Sequence, residues 1–409
     1  MDTVYPHCAG LDVHKDSIAA CVRHWENERV RQKVRTFGAT TSQLFELGDW
    51  LASEGVHEVA MESTGVYWKP VWNILEDRFE VMVINAKHIK KVPGRKTDVQ
   101  DCQWIAQLLQ HGLLRPSFVP DRPQRELRDL TRQRVQLAGE KGRAANRIQK
   151  VLEDANIKLG SVASDVLGVS GREMIRSLIE GVKDADAMAD LARRRMRGKI
   201  PQLREALTGK VTDHHRFMLR QLLDHVEYVE CQIALYDERI EGVLGPFERA
   251  AVERLDTIPG VDRRAAECIV AEIGTDMGRF PTAGHLASWA GMCPGNHESA
   301  GKRKRSKTTE GSRWLRRILN QTAWAARNTK GTYLRGLYHR LAGRRGKKRA
   351  IVAIGHSQLV SAYHMLRDAM DYQDLGENHL FTVQTKRQID YHVRRLEQLG
   401  YKVALAQPA

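Results

Sequence analysis

The feature that most constrains this chain is a carboxylate set inside an apolar run near its start. In Gly10-Leu11-Asp12-Val13, Asp12 interrupts a stretch, His7 to Arg23, that otherwise reads as two strands joined by a turn at Lys15-Asp16. A charge within a strand is costly unless it is paired or bound to a cation, so the fold must bring a partner to Asp12. Val30 to Phe37 reads as a third strand. Ser42 to Glu54 has helical spacing through Leu44, Phe45, Leu47 and Leu51, and Gly55 stops it. Val56 to Met61 and Glu80 to Ile84 are short apolar runs with β-branched content, which suits buried strands. A helix over about Tyr67 to Asp77 separates them, and the order becomes β-β-β-α-β-α-β-α.

Three antiparallel strands followed by βα units is the sequence order of an α/β ribonuclease H-like domain, which we assign to residues 1–116. In that fold the first and fourth strands lie side by side and a late helix packs beside them. Asp12 stands in the first strand, and Glu62 follows Val59-Ala60-Met61 at the carboxyl end of the fourth. Asp98 and Asp101, three residues apart at the start of a helical pattern, fall on one helix face, one turn apart. Together the four would form an oxygen-ligand cluster suited to Mg²⁺, with Mn²⁺ as the alternative, and two ions roughly 4 Å apart would clamp a phosphoryl group. The segment just before Asp98 carries Lys87, Lys90, Lys91, Arg95 and Lys96 and no acid, which favours a phosphate backbone nearby. Taken alone, the aspartate pair is equally well explained as helix-start acids favoured by the macrodipole. Asp16 and Glu58 are rival acids that read as turn and strand-edge residues.

The net charge of +15 points to a polyanionic partner, and it is unevenly placed. Between Gly301 and Arg349 there are 17 Lys or Arg against one acid, Glu310. Lys302, Arg303, Lys304, Arg305, Arg313 and Arg316 are therefore the expected nucleic-acid contacts of the C-terminal third. Six scattered cysteines without a CxxC pair fit neither a zinc cluster nor a disulfide framework, and most read as small buried residues in a reducing cell. With neither a signal peptide nor a membrane-length apolar run in the sequence, the expected location is cytoplasmic, at the nucleoid when bound to DNA.

Residues 117–250 read as helical and charge-rich. Leu130, Leu137, Ala144 and Val151 repeat every seven residues, as do Leu222, Val229, Tyr236 and Val243, with Val226, Ile233 and Ile240 in the other seam. This a/d pattern predicts two long helices that pair with each other or with a second subunit, a coiled-coil scaffold rather than a site of chemistry. Residues 251–345 open on Ile258-Pro259-Gly260-Val261 before an apolar-faced helix, which resembles a helix-hairpin-helix whose turn amides face a phosphate. Residues 346–409 read as a C-terminal helical extension. Ser299 lies in a small-residue loop ahead of the cationic run. Ser288, Ser306 and Ser312 are equally defensible on local sequence, and physics alone does not choose among the four.

In this order, Gly10-Leu11-Asp12-Val13, Met61-Glu62-Ser63-Thr64-Gly65, Lys96-Thr97-Asp98 with Asp101, Ile258-Pro259-Gly260-Val261, Leu286-Ala287-Ser288-Trp289-Ala290-Gly291 and Gly311 to Arg316 resemble the DEDD-type insertion-sequence transposases. These are bridge-RNA-guided recombinases with a RuvC-like N-terminal domain and a C-terminal serine transposase domain. The resemblance implies that Asp12, Glu62, Asp98 and Asp101 bind metal. It also implies that Ser299 attacks a DNA phosphate to form a phosphoserine intermediate, although Ala300 here intervenes before Gly301. The implied partners are donor and target DNA, an element-encoded guide RNA and further copies of the chain, as a dimer or tetramer joined through the coiled coil. The rival readings are a Holliday-junction-type structure-specific nuclease using only the acidic site, and a nucleic-acid-binding scaffold with an inert pocket.

Overall fold

The computed structural model describes residues 3–26, 29–63, 65–85, 101–294, 297–299, 302–305, 308 and 310–404. It divides into two compact units, residues 1–120 and 121–409.

The first unit is built on a five-stranded sheet of order β3-β2-β1-β4-β5. The strands are β1 (His7–Val13), β2 (Ser17–Glu26), β3 (Arg29–Gly38), β4 (Glu58–Glu62) and β5 (Glu80–Ile84). β1, β2 and β3 pair antiparallel, while β4 runs parallel to both β1 and β5. This mixed sheet is consistent with a ribonuclease H-like N-terminal domain and places the first and fourth strands side by side.

Strand parity decides which side chains meet which helix. Ala9, Leu11 and Val13 of β1, Ile18, Ala20 and Val22 of β2, and Val59 and Met61 of β4 form one core. Leu44, Leu47 and Leu51 of α1 (Thr41–Ser53) and Val71 and Leu75 of α2 (Trp68–Leu75) pack into it. The alternate positions, Cys8 and Ala60, pack with Trp104, Ile105, Leu108 and Leu109 of α3 (Asp101–Gln110). Both sheet faces are covered, which is why the central strands read as nearly continuous apolar runs.

Gly10 sets how closely α3 can approach. A Cβ there would stand 2.3 Å from the amide nitrogen of Ala106 and 2.4 Å from the carbonyl oxygen of Cys102. The helix backbone thus rests on the β1 backbone, and the Cys8 thiol reaches the Ala106 carbonyl at 3.6 Å.

The second unit is helical. α4 (Arg122–Asp154) and α6 (Asp213–Val243) pack along one another, with α5 (Val169–Glu180) and shorter helical turns filling the connection. Lys141 pairs with Glu230 at 2.7 Å, Arg134 with Asp237, and His215 with Asp154 at 2.8 Å. Numbers rise along one helix as they fall along the other, so the two run antiparallel. Asp121 caps α4 and a Thr212–His215 capping box starts α6. Leu137, Ala144, Val226, Val229 and Ile240 are buried, so the heptad seams meet inside this chain. The apolar face turned to solvent is a different one, carrying Phe217, Tyr228 and Leu235.

Beyond these lie α7 (Pro246–Asp256), the Ile258–Val261 turn, α8 (Arg263–Ile273), α9 (Ala283–Trp289), a two-stranded sheet of β6 (His297–Ser299) and β7 (Lys302–Arg305), α10 (Arg313–Ala326), α11 (Tyr333–Arg345), α12 (Lys347–Asp368) and α13 (His379–Gln398). Residues 347–368, read from sequence as the start of an extension, form a central helix: Ile351, Ile354, Leu359, Ala362 and Tyr363 of α12 are buried. α8 is fixed to α4 by a buried polar network. Arg132 grips Glu272 with Nε–Oε1 2.7 Å and Nη2–Oε2 3.0 Å, while Arg128 donates to the Ala271 carbonyl at 2.9 Å.

Candidate functional site: an acidic pocket and a basic hairpin

The register of β1 against β4 ends with Leu11 opposite Met61. Asp12 and Glu62 are therefore the next residues on two neighbouring parallel strands. Both share parity with Cys8, Gly10 and Ala60, so they belong to the face that α3 covers. Asp101 is the first residue of α3, immediately before Cys102, whose carbonyl lies over Gly10. The close approach at Gly10 is thus what carries Asp101 to the end of the strands where Asp12 and Glu62 stand.

Cys102 reports this neighbourhood. Its thiol is buried and pushed up to about 11, first by burial, then by the negative charge of Asp12, with Asp101 adding a smaller share. Both carboxylates therefore act on one buried sulfur. Asp12 is half-buried, with 19% of its side chain exposed, and its Oδ2 lies 3.1 Å from Nε2 of His14. Glu62 is half-buried and Asp101 is exposed.

Among the described residues, no choice of one oxygen from each of Asp12, Glu62 and Asp101 brings all three within 4.8 Å of one another, so these three do not converge on a single-ion shell as the sequence led us to expect. The donor set of carboxylate oxygens with one imidazole alongside fits a hard divalent cation. Asp98, with Lys87, Lys90, Lys91, Arg95 and Lys96, lies outside the described residues. The rivals separate by position: Glu58 opposes Cys8 at the far end of the strand pair, and Asp16 lies in the exposed β1–β2 turn.

The serine segment, read from sequence as a loop, is part of an antiparallel strand pair. Ser299 opposes Lys302, Glu298 opposes Arg303 and His297 opposes Arg305, with a register shift between His297 and Glu298. A bridge between Pro294 and Thr308 extends the pair, and Arg316 ties it to α10 by donating to Oγ1 of Thr308 at 3.1 Å. Beside this bridge lies a cleft of about 800 Å³ bordered by Pro294, Thr308, Arg345, Lys348, Arg349 and His356. Burial holds the His356 imidazole below its ordinary range, so it is neutral at neutral pH.

Of the other serines, Ser312 is occupied. It caps α10 by accepting from the Leu315 amide at 3.2 Å and lies 3.0 Å from the Glu272 carboxylate. Ser288 is on the exposed side of α9, and Ser306 lies outside the described residues.

The solvent face of α10 carries Arg313, Arg317, Gln321 and Trp324, in an open groove with Arg316 and Asn320. Arg327 stacks on Trp324 at 4.2 Å. A cation row interleaved with an exposed aromatic suits a nucleic-acid strand. Sequence reading found Arg313 and Arg316 but missed Arg317 and Trp324, although their helical spacing from Arg313 is visible. It also missed His14, two residues beyond Asp12 and so on the same side of the chain.

Of the remaining cysteines, Cys8, Cys21 and Cys268 are buried and all six are free thiols. Among the described residues no helix is long and apolar enough to cross a membrane.

Comparison with known proteins agrees with this layout. Residues 9–157 match the DEDD family model described as a transposase, and residues 252–339 match the family described as Transposase IS116/IS110/IS902. The uncharacterized protein of insertion element IS110 from Streptomyces coelicolor is 27% identical over 305 residues, covering 69% of this chain and 73% of that protein. A candidate transposase of Sinorhizobium fredii is 27% identical over 295 residues, covering 70% of this chain and 63% of its own length. The first family model spans the acidic pocket and the second spans the hairpin and α10, and the chain belongs to the DEDD-type IS110 transposases.

Proposed function

We propose that the protein is a recombinase that cuts and rejoins donor and target DNA, using four carboxylates that hold Mg²⁺ or Mn²⁺ and Ser299 as nucleophile. The observation that carries this reading is the placement of Asp12 and Glu62 at adjacent positions on parallel strands, with the first residue of α3 beside them. When bound, the divalent cations would neutralise charge developing on a scissile phosphate. The protein's own part is positional. Gly10 fixes the height of α3, Asp12 and Glu62 stand on a rigid sheet, and His14 holds one Asp12 oxygen.

In the second unit, Ser299 would form a bond to phosphorus as a DNA P–O bond breaks. Its proton passes to a base, and the departing DNA hydroxyl takes one up. A serine hydroxyl needs such a base, and cations to stabilise the charged phosphorus centre. Lys302 to Arg305 supply the cations; His297 and Glu298 are candidate bases on the hairpin, and His356 is a third in the adjoining cleft.

The element-encoded guide RNA follows from the family resemblance. It would leave the protein to read nucleic-acid shape and backbone while base pairing supplies sequence choice. Assembly into a dimer or tetramer is supported by the exposed Phe217, Tyr228 and Leu235 on α6. A structure-specific nuclease of the Holliday-junction type is the second reading, favoured by the acidic pocket being built within residues 1–120.

The test is strand cleavage in Mg²⁺ by single alanine variants at Asp12, Glu62, Asp98 and Asp101. Each is expected to lose roughly 100-fold or more, in line with removal of a group that stabilises transition-state charge. Near-normal cleavage by any two of them contradicts the four-acid assignment.

A further inference from the structure

We propose that His7, His24 and Glu26 form a second metal site, specific for a borderline divalent cation of the Zn²⁺ class and separate from the acidic pocket. His7 and His24 are register partners across β1 and β2, and Glu26 follows His24 by two residues on the same face of β2. One ligand atom from each of the three lies within 4.8 Å of the others, and no other group of three such residues does so among the described residues.

The two Nδ1 atoms are 3.0 Å apart, with ring centroids at 5.3 Å. Two nitrogens at about 2.0–2.1 Å from a tetrahedral zinc are themselves roughly 3.3 Å apart, so the rings need to part by only a few tenths of an ångström.

A second carboxylate makes this more than an incidental contact. Nε2 of His24 lies 3.4 Å from Oε2 of Glu54, at the end of α1. Glu54 is kept ionised and in place by Lys33, whose Nζ is 2.8 Å from both of its oxygens. A carboxylate facing Nε2 favours the tautomer with its proton there and leaves the Nδ1 lone pair free, the arrangement that metal-bound histidines use. His24 and Glu54 are largely enclosed, with 12% and 14% of their side chains exposed, while Glu26 is exposed. The ligands are therefore a set two-histidine frame with a carboxylate that closes from solvent and water as the fourth donor. Imidazole nitrogen with one carboxylate selects zinc-class ions over Mg²⁺, which prefers all-oxygen shells.

The site is distant from the acids on two counts. His7 and Asp12 are five residues apart on β1, roughly 17 Å at strand rise, and they lie on opposite sheet faces by parity. A cation here pins the open end of the β1–β2 ladder and acts on stability rather than on phosphate chemistry.

The experiment is calorimetric titration of untagged full-length protein with Zn²⁺ at pH 7.5, in a large excess of Mg²⁺, with melting temperature read in parallel. Wild type should bind one Zn²⁺ per chain at this site and melt higher with it, since an ion that binds only the folded state stabilises it. His24→Gln and the surface change Glu26→Gln should each weaken binding by about 10-fold or more, and Glu54→Gln by on the order of 10-fold through its outer-shell role. Asp12→Ala should bind Zn²⁺ like wild type. Absence of a one-to-one isotherm in wild type overturns the proposal. So does unchanged affinity in both His24→Gln and Glu26→Gln, or loss of the binding in Asp12→Ala.

Discussion

Gly10 illustrates how one residue without a side chain places a site several residues away. Its missing Cβ lets the Cys102 carbonyl and Ala106 amide of α3 rest directly on β1. Gly10→Ala is expected to destabilise the first unit by about 1–3 kcal/mol, the usual cost of forcing extra volume into a packed interface. It should also lower cleavage by displacing Asp101 from the end of β1 and β4. Urea unfolding and a cleavage assay on the same preparation check both effects. A stable protein with normal cleavage would mean that α3 can shift without cost.

Much at this scale was legible from sequence. Asp12 was visible because a charge in an apolar strand demands a reason, and Glu62 because it ends another such strand. His14 was harder to single out, because a histidine beside a turn is ordinary until its ring is seen 3.1 Å from the Asp12 carboxylate.

Among elements, the heptad spacing announced two long helices but could not say which partner each would choose. That choice depends on which loops let the chain double back, and the capped starts of α4 and α6 with the core between them bring the seams together. The hairpin of β6 and β7 was unreadable for a related reason. Polar, Gly-containing segments look alike whether they pair or not, and only the register shows that Ser299 opposes Lys302.

The network joining α8 to α4 makes a sharp prediction. Glu272 is 2% exposed and is held by Arg132, with Ser312 alongside. Glu272→Ala leaves the Arg132 charge without its partner at a half-buried position and should cost about 3–5 kcal/mol, read by chemical denaturation. A cost below ~1 kcal/mol would mean that solvent reaches this network freely.

For the basic surface, neutralising Lys302, Arg303, Lys304 and Arg305 together should weaken DNA binding. The slope of log K against log salt should also fall by close to one unit for each DNA phosphate that the variant no longer neutralises. Arg313→Ala with Arg317→Ala on α10 should do the same with a smaller change in slope. An unchanged slope in the first variant would place that strand away from nucleic acid.

For the molecule as a whole, one unit carries the acids and the other the hairpin, and the covalent strand exchange proposed above needs groups from both. If each reaction draws its acids and its serine from different copies, an Asp12→Ala chain mixed with a Ser299→Ala chain should recover part of the activity that each lacks alone. No recovery at any mixing ratio would mean that both groups act from a single chain.

The concentration of positive charge in the C-terminal third is visible in the sequence itself. The cationic third of the sequence is the part that folds into the hairpin, the α10 groove and the adjoining cleft. Sequence physics could not choose among the serines, because nucleophilicity is conferred by neighbours distant in the chain. The fold helps by removing Ser312, which caps a helix.

The most direct measurement is to trap cleaved DNA on the full-length protein in Mg²⁺, digest it and locate the modified peptide by mass spectrometry. The account predicts a phosphodiester-linked adduct on Ser299, absent from both Ser299→Ala and Asp12→Ala. Cleavage without any adduct, or an adduct that persists in Ser299→Ala, would contradict it.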